Sequence, residues 1–261
     1  MQSNAEKSID RIAFSVWDRT TRWFHWINVV CVLGLASLGL AILNAKLFGV
    51  SADGKILLKT LHSYVGYVFA INLAWRMLWA FIGTTNARWK GLLPMGPDYI
   101  GVLKRYVQGL KKGDAPGYLG HNPLGRLVVT LLFFALLTQA VTGLVLAGTD
   151  LYQPPFGGMI AEWVTDGDAE KLAKLTPGSK EYVDMDAYNV MRSFRKPVIT
   201  THLYAFYILI LTILLHITGV VVTEVREKNG IISAMFSGEK VFSEPPVDIE
   251  SNPADRNSAD K

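Results

Sequence analysis

Pro197–Val222, PVITTHLYAFYILILTILLHITGVVV, decides the fold. The stretch is long and apolar enough to cross a bilayer as one helix. It holds two histidines, His202 and His216, and no charged residue. A separation of fourteen residues is just under four helical turns, so both imidazoles leave one face, within roughly 40° and ~21 Å apart along the axis. They cannot ligate the same metal. They suit two metal centres at different membrane depths. The plainer reading is two polar groups bonded to neighbouring helices, because ionisable residues inside a membrane usually face the bundle interior.

Three more apolar blocks precede this one: Trp23–Leu43, Ile56–Ile82 and Leu124–Ala147. None alternates with the period of two that a transmembrane barrel strand requires. Half of the 261 residues are hydrophobic, and they come in long blocks, which is the pattern of a membrane protein. The fold class expected is all-α, a four-helix transmembrane bundle, with helices over about 20–43, 56–82, 124–147 and 197–223. One domain, 1–242, would hold the helices. The remainder, 243–261, has the polar composition of a disordered tail.

Residues 1–22 carry Glu6, Lys7, Asp10, Arg11, Asp18, Arg19 and Arg22, so they do not read as a cleavable signal peptide. The single cysteine, Cys31, lies in the first apolar block. It leaves no internal disulfide, c-type haem attachment motif or thiolate set for iron–sulfur or zinc. The formal net charge of +4 forms no basic stripe with interleaved aromatics, so nucleic-acid binding has no support. It reads instead as topology. The N-terminal tail, the connection 83–122 and the C-terminal tail hold fifteen lysines and arginines, against eight in the connections 44–55 and 148–196. The positive-inside rule then places both termini in the cytoplasm of a bacterial inner (plasma) membrane protein, with 148–196 in the periplasm. That connection is long enough for short helices and a small docking surface. Asp98–Leu110 reads as an interfacial amphipathic helix with Tyr99, Leu103 and Tyr106 on one side.

Depth pairs the histidines. His25, at the start of the first block, matches His216. His62, in the first third of the second, matches His202. Two bis-histidine sites with no open position suit two b-type haems used for electron transfer. Gly66, one turn after His62, would let a flat macrocycle approach the backbone, or would serve helix contact as small residues do in membranes. Gly219 beside His216 reads the same way. Arg76 shares the face of His62 fourteen residues on, where haem propionates at the cytoplasmic site would partner it; the alternative is snorkelling to the interface. His121, in Gly120-His121-Asn122-Pro123, reads mainly as a helix-entrance residue, with Asn122 as cap and Pro123 as first helical position. Trp23, His121, Asn122 and Arg126 lie at the level expected for a quinone slot.

These residues resemble a known family, the four-helix cytochrome b subunits of membrane-bound nickel–iron hydrogenases, related to those of formate dehydrogenases and thiosulfate reductases. The resemblance rests on Arg22-Trp23-Phe24-His25-Trp26; on His62, Gly66, Arg76, Trp79 and Gly83; on Gly120-His121-Asn122-Pro123 with Thr142-Gly143; and on His202 and His216 followed by Arg226-Glu227, Asn229-Gly230, Ser233, Met235 and Gly238. It covers most of 15–242. It implies two b haems that relay electrons between a periplasmic redox enzyme and the membrane quinone pool. The connection 148–196 lies outside it, so a hydrogenase, a c-type cytochrome and another reductase stay open as partner. A free-standing haem enzyme on the same bundle, a quinone reductase or superoxide oxidase, is the second class. A transporter has no support, because no inverted repeat or broken helix pair is visible.

Overall fold

A computed structural model describes residues 12–249. In chain order it contains strand β1 (Ile12–Ser15), helices α1 (Arg19–Leu43) and α2 (Ala52–Ile82), a 3-10 turn (Thr85–Ala87), helices α3 (Trp89–Leu92), α4 (Tyr99–Lys112), α5 (Pro123–Leu151), α6 (Gly157–Val164), α7 (Ala169–Lys174), α8 (Met185–Glu227) and α9 (Ala234–Ser237), and strand β2 (Glu239–Phe242). Four of them, α1, α2, α5 and α8, are long and apolar enough to cross a membrane. The all-α, four-helix transmembrane class expected from the sequence is the class found, with one two-stranded ladder added.

The boundaries differ most at α8. Its start was expected at Pro197, yet the helix begins twelve residues earlier and carries Pro197 inside. Asp184 explains the earlier start: its Oδ1 accepts from the Ala187 amide at 2.9 Å and the Asp186 amide at 3.1 Å, the bond pattern of a helix N-cap. Proline inside a membrane helix is tolerated where neighbouring groups re-satisfy the backbone.

The chain divides into two compact units, and each long helix contributes residues to both. Among the described residues, the first unit comprises 12–25, Arg76–Leu132 and 212–249. Here β1 and β2 pair antiparallel, Ile12 opposite Phe242 and Ser15 opposite Glu239. The Gly238 carbonyl accepts from the Val16 and Trp17 amides at 2.8 and 3.1 Å. Gly238 has φ +92°, and a Cβ there would meet the Trp17 carbonyl oxygen at 2.8 Å, so only glycine fits. Val16, Trp17, Leu119, Ala234 and Phe242 form a buried cluster. Asp18 holds the start of α1 by accepting from the Thr21 amide at 2.8 Å, and its carboxylate also receives the Thr84 hydroxyl at 2.7 Å.

On the tyrosine side of α4, Tyr106 is buried, 1% exposed, while Tyr99 and Leu103 are partly buried. Tyr106 donates to Glu227 Oε1 at 2.7 Å and accepts from Asn122 Nδ2 at 2.6 Å. Asn122 caps α5 as expected, its Oδ1 accepting from the Gly125 amide at 2.7 Å. The segment expected to be a disordered tail begins ordered: Val247 donates to the Gly117 carbonyl at 3.0 Å, and Asp248 accepts from the Leu119 and Gly120 amides at 2.7 and 3.0 Å. Residues 250–261 of that expectation lie outside the described residues.

The second unit comprises Trp26–Trp75 and Phe133–Leu211. Its 148–196 connection folds into α6, α7 and the first turns of α8. Ile160, Val164, Val183 and Met191 are its buried core, with Tyr152, Leu175 and Tyr188 packed on it. Asp168 caps α7 through the Glu170 and Lys171 amides. Cys31 is free and buried in this unit.

Candidate functional site

The second unit brings His62 of α2 to His202 of α8. Their ring centroids are 6.3 Å apart with planes at 71°. The Thr142 hydroxyl has one proton, which it gives to the Thr138 carbonyl at 2.6 Å. It therefore meets His202 Nδ1, at 2.8 Å, as an acceptor. In the neutral ring Nδ1 carries the proton and Nε2 keeps its lone pair. Such a bond fixes the tautomer and orientation of a metal-ligating histidine. Gln139 Nε2 donates to the His202 carbonyl at 2.9 Å and steadies the same turn.

A cavity of about 400 Å³ opens beside the two rings, with a mostly apolar lining that includes Gly39, Gly66 and Gly143. A Cβ at Gly39 would stand 3.5 Å from His62 Cε1, and one at Gly143 3.4 Å from His202 Cε1. At Gly66 a Cβ would touch only Leu35, at 4.0 Å; this glycine faces the cavity rather than a tight helix contact. These features fit an iron macrocycle. A metal–imidazole bond of about 2 Å on each side, plus about 1 Å from nitrogen to ring centre, puts trans rings roughly 6 Å apart, as here. The glycines leave room for a flat ring beside them.

The first unit holds the other pair. His25 of α1 and His216 of α8 both belong to it. Arg76 is 2% exposed, so it is buried rather than snorkelling. Its guanidinium lies over the Phe24 ring at 5.7 Å. His121 packs against Trp17, centroids 4.9 Å apart and planes tilted by 54°, and feels the charges of Lys240, Arg76 and Arg126; burial first, then Lys240, pushes its pKa down to about 3. His121 thus sits at the helix entrance, close to the pair. Arg126 Nε donates to the His121 carbonyl at 3.3 Å, so His121, Asn122 and Arg126 are neighbours. Trp23 is 68% exposed and points away from the core. A Cβ at Gly219 would meet nothing within 4 Å.

Several residues at these sites carried no signal in the sequence reading. Lys240 counted only as a tail charge, but it is 2% exposed. Its Nζ donates to the Tyr118 and Gly120 carbonyls at 3.0 and 3.1 Å, and burial pushes its pKa down to about 8. Burial, then Glu227, pushes the Tyr106 phenol up. In the second unit Gly39, Lys59, Asp150 and Arg195 also line the histidine cavity. Spacing marks Lys59 and Arg195: they precede His62 and His202 by three and seven residues, on the same helix faces.

The profile of one family, prokaryotic cytochrome b561, matches residues 16–238. A probable Ni/Fe-hydrogenase B-type cytochrome subunit of Rhizobium leguminosarum bv. viciae is 26% identical, over 93% of this chain and 95% of its own. The protein of the same description from Bradyrhizobium diazoefficiens is 24% identical over 92% and 91%. The probable Ni/Fe-hydrogenase 1 B-type cytochrome subunit of Escherichia coli K12 is 26% identical over 54% and 63%. No solved structure matches the chain. With four membrane-spanning helices and a profile match over most of its length, this multi-pass membrane protein belongs to the prokaryotic cytochrome b561 family.

Proposed function

We propose that the chain is the membrane electron-transfer subunit of a hydrogenase-type redox complex. It would hold two b haems, one between His62 and His202 and one between His25 and His216, and pass electrons between a periplasmic enzyme and the quinone pool. The observation that carries this reading is the 6.3 Å spacing of the His62 and His202 rings beside a glycine-lined cavity. A b haem held by each pair would supply one-electron iron chemistry.

The chain's own residues do the rest. His62 and His202 would hold the group, with Thr142 fixing the His202 tautomer. Gly39, Gly66 and Gly143 admit the ring edge, and the apolar lining excludes water. In the first unit Arg76 would face propionates, and His121, Asn122 and Arg126 border the region proposed for quinone. The relatives named as hydrogenase cytochrome subunits support a hydrogenase as partner. The charge distribution supports cytoplasmic termini in the inner membrane and periplasmic exposure of 148–196, the docking surface in this reading.

The test is a haem count with a reduced-minus-oxidised spectrum on the purified chain. Wild type should carry two low-spin b haems. His202→Ala and His216→Ala should each lose one, and a different one. Two full equivalents in either variant would overturn the assignment.

A further inference from the structure

Beyond the two imidazoles, the histidine cavity of the second unit carries a cluster of charge at one end. Lys55 and Lys59 precede His62 on α2 by seven and three residues, and Arg195 precedes His202 on α8 by seven. At ~100° per residue each lies within about 60° of its histidine around the helix, and all are displaced toward the N-terminal ends of the two ligand helices. All three line the same cavity as the histidines, and Asp150, in the last turn of α5, joins them. Lys59 Nζ meets Asp150 Oδ2 at 2.6 Å, and Arg195 Nη2 donates to the same oxygen at 2.9 Å. Arg195 Nε contacts the other carboxylate oxygen.

One carboxylate thus stands between two partly buried cations, with a third cation on the same lining. Side-chain exposure is 29% for Lys59, 22% for Arg195 and 14% for Asp150. Holding surplus positive charge out of water is costly unless an anion matches it. The rest of the lining is largely apolar, so a negatively charged group entering the cavity has one end to go to. Arginine offers a planar fork matched to a carboxylate, and lysine a point charge.

We propose that Lys59 and Arg195 form a carboxylate subsite for the propionates of the macrocycle held by His62 and His202, with Asp150 aligning the two cations. The inference rests on the haem reading of that cavity. It fixes the in-plane orientation of the ring, propionate edge toward Asp150 and vinyl-bearing edge toward the apolar lining. Lys59 and Arg195 are positioning residues. They touch the cofactor's side chains and leave the iron to the histidines.

Two measurements on the full-length protein test this. The first is a redox titration of the His62–His202 haem in Lys59→Met, Arg195→Gln and Asp150→Asn. Loss of a cation should make that haem harder to reduce, and loss of the carboxylate should make it easier, each by roughly tenfold in the reduction equilibrium, as expected of a unit charge at this range. Shifts of one sign, or none, overturn the subsite. The second is reconstitution of haem-depleted protein with haem or with haem dimethyl ester, which lacks both carboxylates. Lys59→Met with Arg195→Gln should weaken haem binding at this site at least tenfold and leave ester binding unchanged. Equal losses for both ligands overturn the proposal. If wild type holds no haem that His202→Ala removes, the parent reading of the cavity fails instead.

Discussion

The two histidine pairs sit in differently built surroundings. The second-unit pair faces an apolar cavity, its charge gathered at one end in Lys59, Asp150 and Arg195. The first-unit pair sits in a unit laced with buried polar groups: Arg76 and Lys240 are each 2% exposed, and Tyr106, Glu227, Asn122 and Asn229 are hydrogen-bonded in series. An apolar pocket with a charged rim suits firm, passive holding of a cofactor. A network of buried titratable groups suits a place where charge and protons are exchanged. The two histidine pairs thus lie in two electrostatic settings, as the proposed relay with distinct ends requires.

The contrast breaks most readily at Gly143. An alanine there would place its Cβ 3.4 Å from His202 Cε1, an ordinary contact. Valine adds two methyls with no such room. Gly143→Val should abolish haem at the second-unit site and leave the first-unit haem in place, while Gly143→Ala keeps both. Haem loss from both units in the valine variant would make them a single folding unit and erase the comparison.

Arg76→Met tests the other side. A unit charge ~10 Å away at an effective dielectric of about 20 is worth about 1.7 kcal/mol. The first-unit haem should become harder to reduce by roughly tenfold or more, with the second-unit haem unmoved. A redox titration that resolves the two haems reads this directly; an unchanged first-unit potential would remove Arg76 from the site.

Thr142→Val should act more weakly. It strips the His202 Nδ1–H of its acceptor, a cost of about 1–3 kcal/mol for a buried donor. The second-unit haem should dissociate at a lower denaturant concentration and shift in potential, and Thr142→Ser, which keeps the oxygen, should restore both. If serine fails where threonine succeeds, the methyl and not the hydrogen bond supports His202.

The smallest effect belongs to Lys240. Its folded pKa, about 8, lies below its ordinary 10.5. Between those values the unfolded chain holds a proton that the folded chain has lost, so this group's contribution to stability rises with pH across that window. The neutral amine retains two N–H bonds for the Tyr118 and Gly120 carbonyls. Lys240→Met should flatten that slope in thermal unfolding between pH 8 and 10. A slope equal to wild type would place the titration elsewhere.

Much of this was written in local sequence. The apolar blocks marked four helices because length and hydropathy alone decide membrane crossing. The depth of His62 and His202 matched them because a straight helix converts residue number into height. Asn122 and Pro123 announced the start of α5 by their own chemistry. The misses have a common cause. Asp184 caps α8 ahead of a polar run that hides a helix behind Pro197. Lys240 is buried by carbonyls about 120 residues away in sequence, and Asp150 finds Lys59 and Arg195 across 91 and 45. Such contacts leave no periodicity to read. Gly39 looked like any small residue in a membrane helix until His62 was placed beside it.

The pairing of β1 with β2 also bears on the order in which a growing chain becomes competent. All segments of the second unit have been synthesised once Leu211 is added. Ile12 must wait for Phe242, its partner in the ladder, another 31 residues, which is about 2–6 s at ~5–20 residues per second. During that interval His62 and His202 are already present, while the first unit lacks the strand that closes it. A nascent or prematurely ended chain would therefore contain the His62–His202 pair before it could complete the unit that holds the other.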